Sequence, residues 1–360
     1  MLRIRRLLAA ASVAAVVTAA LVAPGSPASA ATCTPSAHCY GVIRFTPGTI
    51  YGINQGLNVH CLGPMNAPTS SNFVTQEQWL ATNNSSGQYW VEVGMAYGAP
   101  QGSTRYMFWA DNRPNGGGYH EHDLSITAAL NTYYDDYIRW IGNNSWRVER
   151  GGTTLGTSTA NPGPSHWANA GEELTANGGA ASAVTGWLYR QTSSGGAWIS
   201  NWPGSTISTD NPPYGSWTTP GYSASFYSNC AFLTGASDPG PTFTPFSKAA
   251  AATAVRGLAT QLAAANGDPA PSSMEYVLTT RQAAAKATSQ AVVDSDQPVY
   301  VASFSGKFSG DLAKTPRGAV KPSGSVMTVV IDQSTGRITD WGIEKATPTL
   351  AALGAVQKLS

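Results

Sequence analysis

Charge is scarce in this chain: Asp, Glu, Lys and Arg make up 11% of its 360 residues, and the formal net charge is +1. A nucleic-acid partner would demand a basic stripe, so this composition excludes one. Long apolar runs are also missing, apart from one at the amino terminus. No Cys-x-x-Cys spacing occurs, so Cys33, Cys39, Cys61 and Cys230 read as disulfide formers rather than zinc ligands. A Gly-x-Ser-x-Gly nucleophile elbow is absent, as is a phosphate-binding glycine loop with lysine. Gly116-Gly117-Gly118 reads as turn punctuation between strands.

The single long apolar run lies at 7–23, preceded by Arg3, Arg5 and Arg6 and followed by Ala28-Ser29-Ala30. Basic residues, an apolar core and a small-residue cleavage site in that order predict a secretory signal peptide over 1–30. The run stops at Pro24 and is shorter than the ~20 residues that span a bilayer, so no stable membrane insertion is expected. Removing its three arginines from 21 leaves 18 basic against 20 acidic residues. The expected product is a secreted, extracellular monomer. An even cysteine count suits that oxidising location, and four cysteines allow three connectivities. A bond from Cys230 to an early cysteine would close the longest loop and contribute about 4 kcal/mol in the entropic picture.

Tryptophan, glycine and asparagine dominate up to about residue 235, and alanine dominates after it. The proline-rich stretch between predicts a linker over 236–246, separating a domain at 31–235 from one at 247–360. Short aromatic or β-branched runs at 89–97, 105–111, 119–124, 136–141, 145–150, 170–175, 185–191, 198–202 and 222–227 predict strands. Asn143-Asn144 is the expected turn between two of them. No amphipathic helix interrupts this series, so the fold class is mainly β: an antiparallel β-sandwich or jelly roll. A small α+β domain is expected to follow. It has helices at 249–265 and 281–291, strands at 298–308, 325–332 and 337–344, and a turn at 333–336.

Within 89–97, Trp90 and Glu92 fall on one face and Val91, Val93 and Met95 on the other. A carboxylate in so apolar a strand must be paired, hydrogen-bonded or turned toward a cleft. Glu172 and Glu173 occupy a second strand, and alternation lets only one of them share a face with Glu92. Two carboxyl groups brought together can hold one proton between them, one acting as general base toward water while the other polarises the substrate carbonyl. His120 and His122 share a strand face, but no third ligand accompanies them. Neither a metal nor an organic cofactor is expected.

The segments Glu92-Val93-Gly94, Phe108-Trp109 and Gly171-x-Glu173 resemble motifs of glutamic peptidases, particularly the secreted neprosin type. The fungal glutamic peptidases carry glutamine where Glu92 falls. The resemblance, over about 85–202, implies a β-sandwich in which Glu92 and Glu173 form a catalytic pair, with Glu172 as the alternative to Glu173. It also implies that Trp90 and Trp109 line the groove and that the substrate is an extracellular polypeptide. Ten of the eleven tryptophans precede residue 235, which supports a rival reading. In that reading the chain is a non-catalytic module binding polysaccharide or cell-wall material through exposed aromatic rings. The stretch Val329 to Ile338 is similar to the hairpin of PepSY-type domains, which accompany exported peptidases.

Overall fold

The computed structural model describes residues 32–63, 67–82, 89–115, 117–124, 128–177, 181–210, 215–219, 223–228 and 250–359. The expected signal peptide, the expected linker and Cys230 lie outside them. Eleven strands open the described chain: β1 (Cys39–Phe45), β2 (Gly52–Leu62), β3 (Phe73–Thr82), β4 (Trp90–Gly98), β5 (Arg105–Arg113), β6 (Gly118–Leu124), β7 (Tyr133–Gly142), β8 (Ser145–Arg150), β9 (Thr153–Ser158), β10 (Ser165–Leu174) and β11 (Ala181–Gln191). Four short ones follow: β12 (Ile199–Ser200), β13 (Thr206–Thr209), β14 (Gly215–Thr219) and β15 (Ser223–Ser228). The remainder is α1 (Ala251–Ala265), β16 (Ser272–Thr280), α2 (Arg281–Thr288), β17 (Pro298–Phe308), β18 (Gly324–Asp332), β19 (Ile338–Glu344) and β20 (Gln357–Lys358).

These strands form two antiparallel sheets. One runs β13-β1-β10-β3-β4-β5-β6-β19-β18-β17-β16-β20, and the other β14-β15-β11-β2-β7-β8-β9 with β12 beside β11. Turn chemistry sets several registers. Asn143 and Asn144 adopt φ of 50° and 51°, the left-handed pair that a two-residue hairpin requires between β7 and β8. The β18–β19 turn uses Asp332, whose Oδ1 accepts the Ser334 and Thr335 amides at 2.6 and 3.1 Å. Gly336 then supplies φ of 73°.

Alternation along β4 and β5 decides where the core lies. Val91, Val93 and Trp109 turn inward and meet Ile53, Ile138, Trp146, Val148 and Leu188 of the second sheet. This is the interior of a β-sandwich. The opposite face of the first sheet is not left to solvent. Val255, Ala259 and Leu262 of α1 pack there with Phe73, Trp79, Trp90, Phe304 and Trp341.

The α+β part continues the first sheet, because β19 pairs with β6 through Asp340↔His122 and Trp341↔Glu121. A buried polar cluster locks this junction. Asp340 accepts from Arg281 Nε at 2.8 Å and lies 2.6 Å from His122 Nδ1, while Arg281 also donates to the carbonyl of Asp123 at 2.9 Å. Burial alone would raise the Asp340 carboxyl, but Arg281 and His122 outweigh it and hold the group below its usual range. His120 reaches Glu344 at 3.2 Å, so both histidines of β6 meet carboxylates of β19. Cys33 is bonded to Cys39, and Cys61 is also in a disulfide, as expected for an oxidising location. Among the described residues no helix is long and apolar enough to cross a membrane.

Candidate active site

The face of the first sheet turned away from the sandwich interior carries a row of acids. Glu92 of β4 pairs across with Trp79 on one side and Ala110 on the other, and Ala110 pairs with Glu121 of β6. Glu173 of β10 stands opposite Thr75, and Glu77 of β3 lies between Gly94 and Gly171. Glu92 and Glu173 are therefore both diagonal neighbours of Glu77, at about 7–8 Å between Cα atoms. Glu92 and Glu173 themselves are separated by two strand spacings and four residues, roughly 16 Å. The pair expected from sequence shares a face, but Glu77 stands between its members. A Cβ on Gly94 would fall 2.3 Å from the Cβ of Glu77, so glycine there leaves the central acid its room.

Each carboxyl has specific partners. Trp90 Nε1 donates to Glu92 at 3.1 Å, and the Tyr119 hydroxyl lies 3.2 Å from Glu92 and 2.9 Å from Glu121. One hydroxyl proton cannot serve both acids, so a protonated Glu92 giving to Tyr119, and Tyr119 giving to Glu121, satisfies the chain. Glu77 accepts from the Thr75 hydroxyl. Glu173 meets His38 Nδ1 at 2.5 Å, the Tyr40 hydroxyl at 3.0 Å and the Thr315 amide at 3.1 Å. Among the described residues His38 Nε2 faces the carbonyls of Pro35 and Asp311, at 2.9 and 3.2 Å, and so carries a hydrogen. The short contact between Nδ1 and Glu173 then needs a second proton, on the ring or on the acid.

Burial raises the carboxyl of Glu92 well above its usual range, and the charges of Glu77, Glu173 and Glu121 add to the effect. Glu77 is raised for the same reason, with Glu173 the next contributor, and Asp123 by burial and then Glu121. Such groups bind a proton more tightly folded than unfolded. Their contribution to stability is full below the unfolded carboxyl value of about 4.3 and is lost as pH rises through the folded value. Asp340 works in the opposite sense, contributing above its unfolded value and losing that as pH falls. Calorimetric scans should show wild type losing melting temperature from pH 5 to pH 8 more steeply than Glu92→Gln. Equal slopes would place the Glu92 carboxyl near its ordinary value.

No family model matches the chain, nor does any curated protein. Among solved structures it is similar to scytalido-glutamic peptidase with a transition-state analog inhibitor, at 11% identity and a TM-score of 0.39, covering 53% of this chain and 98% of that one. It is also similar to a SAP-like pentraxin from Limulus polyphemus, at 16% identity and a TM-score of 0.24 over 56% of this chain and 78% of that one. A Bacillus licheniformis β-glucanase matches at 14% identity and a TM-score of 0.22, over 52% and 64%. These are distant likenesses of fold. The PepSY resemblance finds no support, and its hairpin residues are accounted for by the Asp332 turn. The chemistry of the acid face follows from this chain's own residues.

Of the residues expected at the site, Glu92, Glu173 and Trp90 are on the acid face. Trp109 is not. It pairs with Val93 rather than lying beside Glu92, so alternation turns it into the sandwich interior, where it stacks on His122 at 4.1 Å. Glu172 is excluded on the same ground, since Glu173 holds the contacts to His38 and Tyr40. Glu77, Glu121, Tyr119, His38 and Lys314 were not expected from sequence. Glu77 had one signal: Gln76-Glu77-Gln78 sits between Val74 and Trp79-Leu80, a polar interruption inside a run that ends in large apolar groups.

Proposed function

We propose that the chain is an exported peptide-bond hydrolase of glutamic type, working through the acids Glu92, Glu77 and Glu173. One observation carries this reading: a peptide already lies across the acid face, with the amide of Thr315 donating to both oxygens of Glu173 at 3.2 and 3.1 Å. The same face therefore offers a carboxyl that grips peptide N–H and neighbours whose carboxyls burial pushes well above their usual range. An ionised member takes a proton from water, whose oxygen bonds to the carbonyl carbon. A protonated member gives its proton to the amide nitrogen as the C–N bond breaks. Both roles are filled by side chains, so no cofactor is called for. The protonated member loses its proton only as pH rises through its raised range, so the rate falls toward alkaline pH.

Casein incubated with the mature protein across the pH range should be cleaved, with the rate falling as pH rises above neutral. A second reading draws on the outer face of the second sheet. Trp187 sits at a bulge with φ of 49°, is 62% exposed, and its ring lies 4.8 Å from that of Tyr133. Trp198 and Tyr137 pair nearby at 5.3 Å, beside an open groove of about 470 Å3 that includes Arg139 and Arg147. A strained, displayed aromatic on a sheet face suits stacking on sugar rings. No casein cleavage at any pH, with retention on insoluble glycan that Trp187→Ala abolishes, would favour this binding role.

A further inference from the structure

The segment 309–323 joins β17 to β18, adjacent antiparallel strands that a hairpin of a few residues would connect. Irregular loops this long are uncommon in compact folds and usually functional. This one dives: Leu312, Ala313, Lys314 and Thr315 are buried against the acid face. Lys314 is fully buried. Its Nζ lies 2.7 Å from both oxygens of Glu121 and 2.8 Å from the Tyr106 hydroxyl. Around that ammonium stand three rings, with centroids 5.0 Å away for Phe73, 5.3 Å for Tyr106 and 5.0 Å for Phe108. A carboxylate floor with aromatic walls is a cage for a primary ammonium.

The backbone beside Lys314 is read as well. Its own amide donates to Tyr119 at 3.2 Å, and the next amide, that of Thr315, donates to Glu173. Toward solvent the segment is tied by Arg317 to Asp210 at 2.7 Å, and by Lys321, whose Nζ donates to the carbonyl of Pro35 at 2.6 Å. Both of these ties are partly exposed. The contacts at the deep end recognise a lysyl side chain together with two successive peptide N–H groups.

We propose that the cage around Lys314 is a lysine-recognising subsite of the acid face, and that segment 309–323 is its resident occupant in cis. The proposal deepens the hydrolase reading and rests on it for the word substrate. The class implied is a polypeptide presenting lysine followed by a residue with a free amide. Such a peptide enters only when the segment withdraws.

The test labels carboxyl groups of the intact protein with a carbodiimide and glycinamide, reading Glu121 and Glu173 by mass spectrometry. Wild type should label slowly. Lys314→Ala, and separately Arg317→Ala with Lys321→Ala, should raise labelling by about tenfold or more, because modification then follows opening of the segment. The second variant alters only partly exposed residues and serves if the first fails to fold. Adding the peptide Leu-Ala-Lys-Thr-Pro should restore protection, and Leu-Ala-Ala-Thr-Pro should not. Unchanged labelling in a folded variant, or equal protection by both peptides, would overturn the proposal. Lysine-selective protection without any casein cleavage would leave the subsite standing and remove the hydrolase reading.

Discussion

Glu173→Gln should lower casein hydrolysis by about 10²–10⁴-fold, the usual range for loss of a positioned acid or base. The amide keeps the size of the side chain and can still accept from Tyr40 and the Thr315 amide. It cannot take a proton from water, and its contact with His38 loses the shared proton. Glu77→Gln should produce a loss of the same order, because Glu77 is the acid that links Glu92 to Glu173 across β3. Glu172→Gln should leave the rate near that of wild type, since alternation puts that residue on the other face. Rates measured at saturating casein separate these outcomes from changes in binding. A Glu172→Gln loss matching that of Glu173→Gln would mean that the register of β10 had been misread.

The largest stability effect should come from Lys314. Lys314→Ala removes the only cation within hydrogen-bonding distance of Glu121 among the described residues and leaves a buried carboxylate behind. Breaking one side of a buried ion pair costs about 3–5 kcal/mol. For a chain of this size that corresponds to a fall in melting temperature of about 5 °C near neutral pH. Adding Glu121→Gln to the same chain should recover much of the loss, because the stranded charge disappears. Replacing both partners is far less costly than replacing one. Thermal melts of the three variants check this. An undiminished melting temperature for Lys314→Ala would mean that the ammonium is solvated rather than caged.

The parts of the fold that followed local rules were legible in the sequence. Strands at 145–150 and 298–308 appear with those bounds, and α1 stops at Asn266-Gly267, where Gly267 takes φ of 96°. Asn143-Asn144 announced its hairpin. The alternation that separated Glu92 from Val91 and Val93 also held. Strand β3 was harder to see, because its polar residues are buried too. Gln76, Glu77 and Gln78 are buried in succession. A strand covered on both faces loses the period-two contrast that marks a half-buried one. The cover over the acid face comes from α1 and segment 309–323, far along the chain. Without β3, Glu77 had no face assigned to it. Lys314, in Leu312-Ala313-Lys314-Thr315-Pro316, reads as an ordinary surface lysine, and only the tertiary structure buries it. Trp109 went wrong for a simpler reason: it is one residue from the position that faces Glu92, and one residue inverts the face.

The account stands on three glutamates of one sheet face holding fewer than three negative charges near neutral pH. Carbon-13 NMR titration of the glutamate side-chain carboxyls in the intact protein reads this without any substrate. Glu77 and Glu92 should keep their protonated shifts well above the ordinary carboxyl range, and each should move when the other is replaced by glutamine. If both titrate near pH 4 as independent groups, the acid face holds only separate charges, and the chemistry assigned to it is wrong.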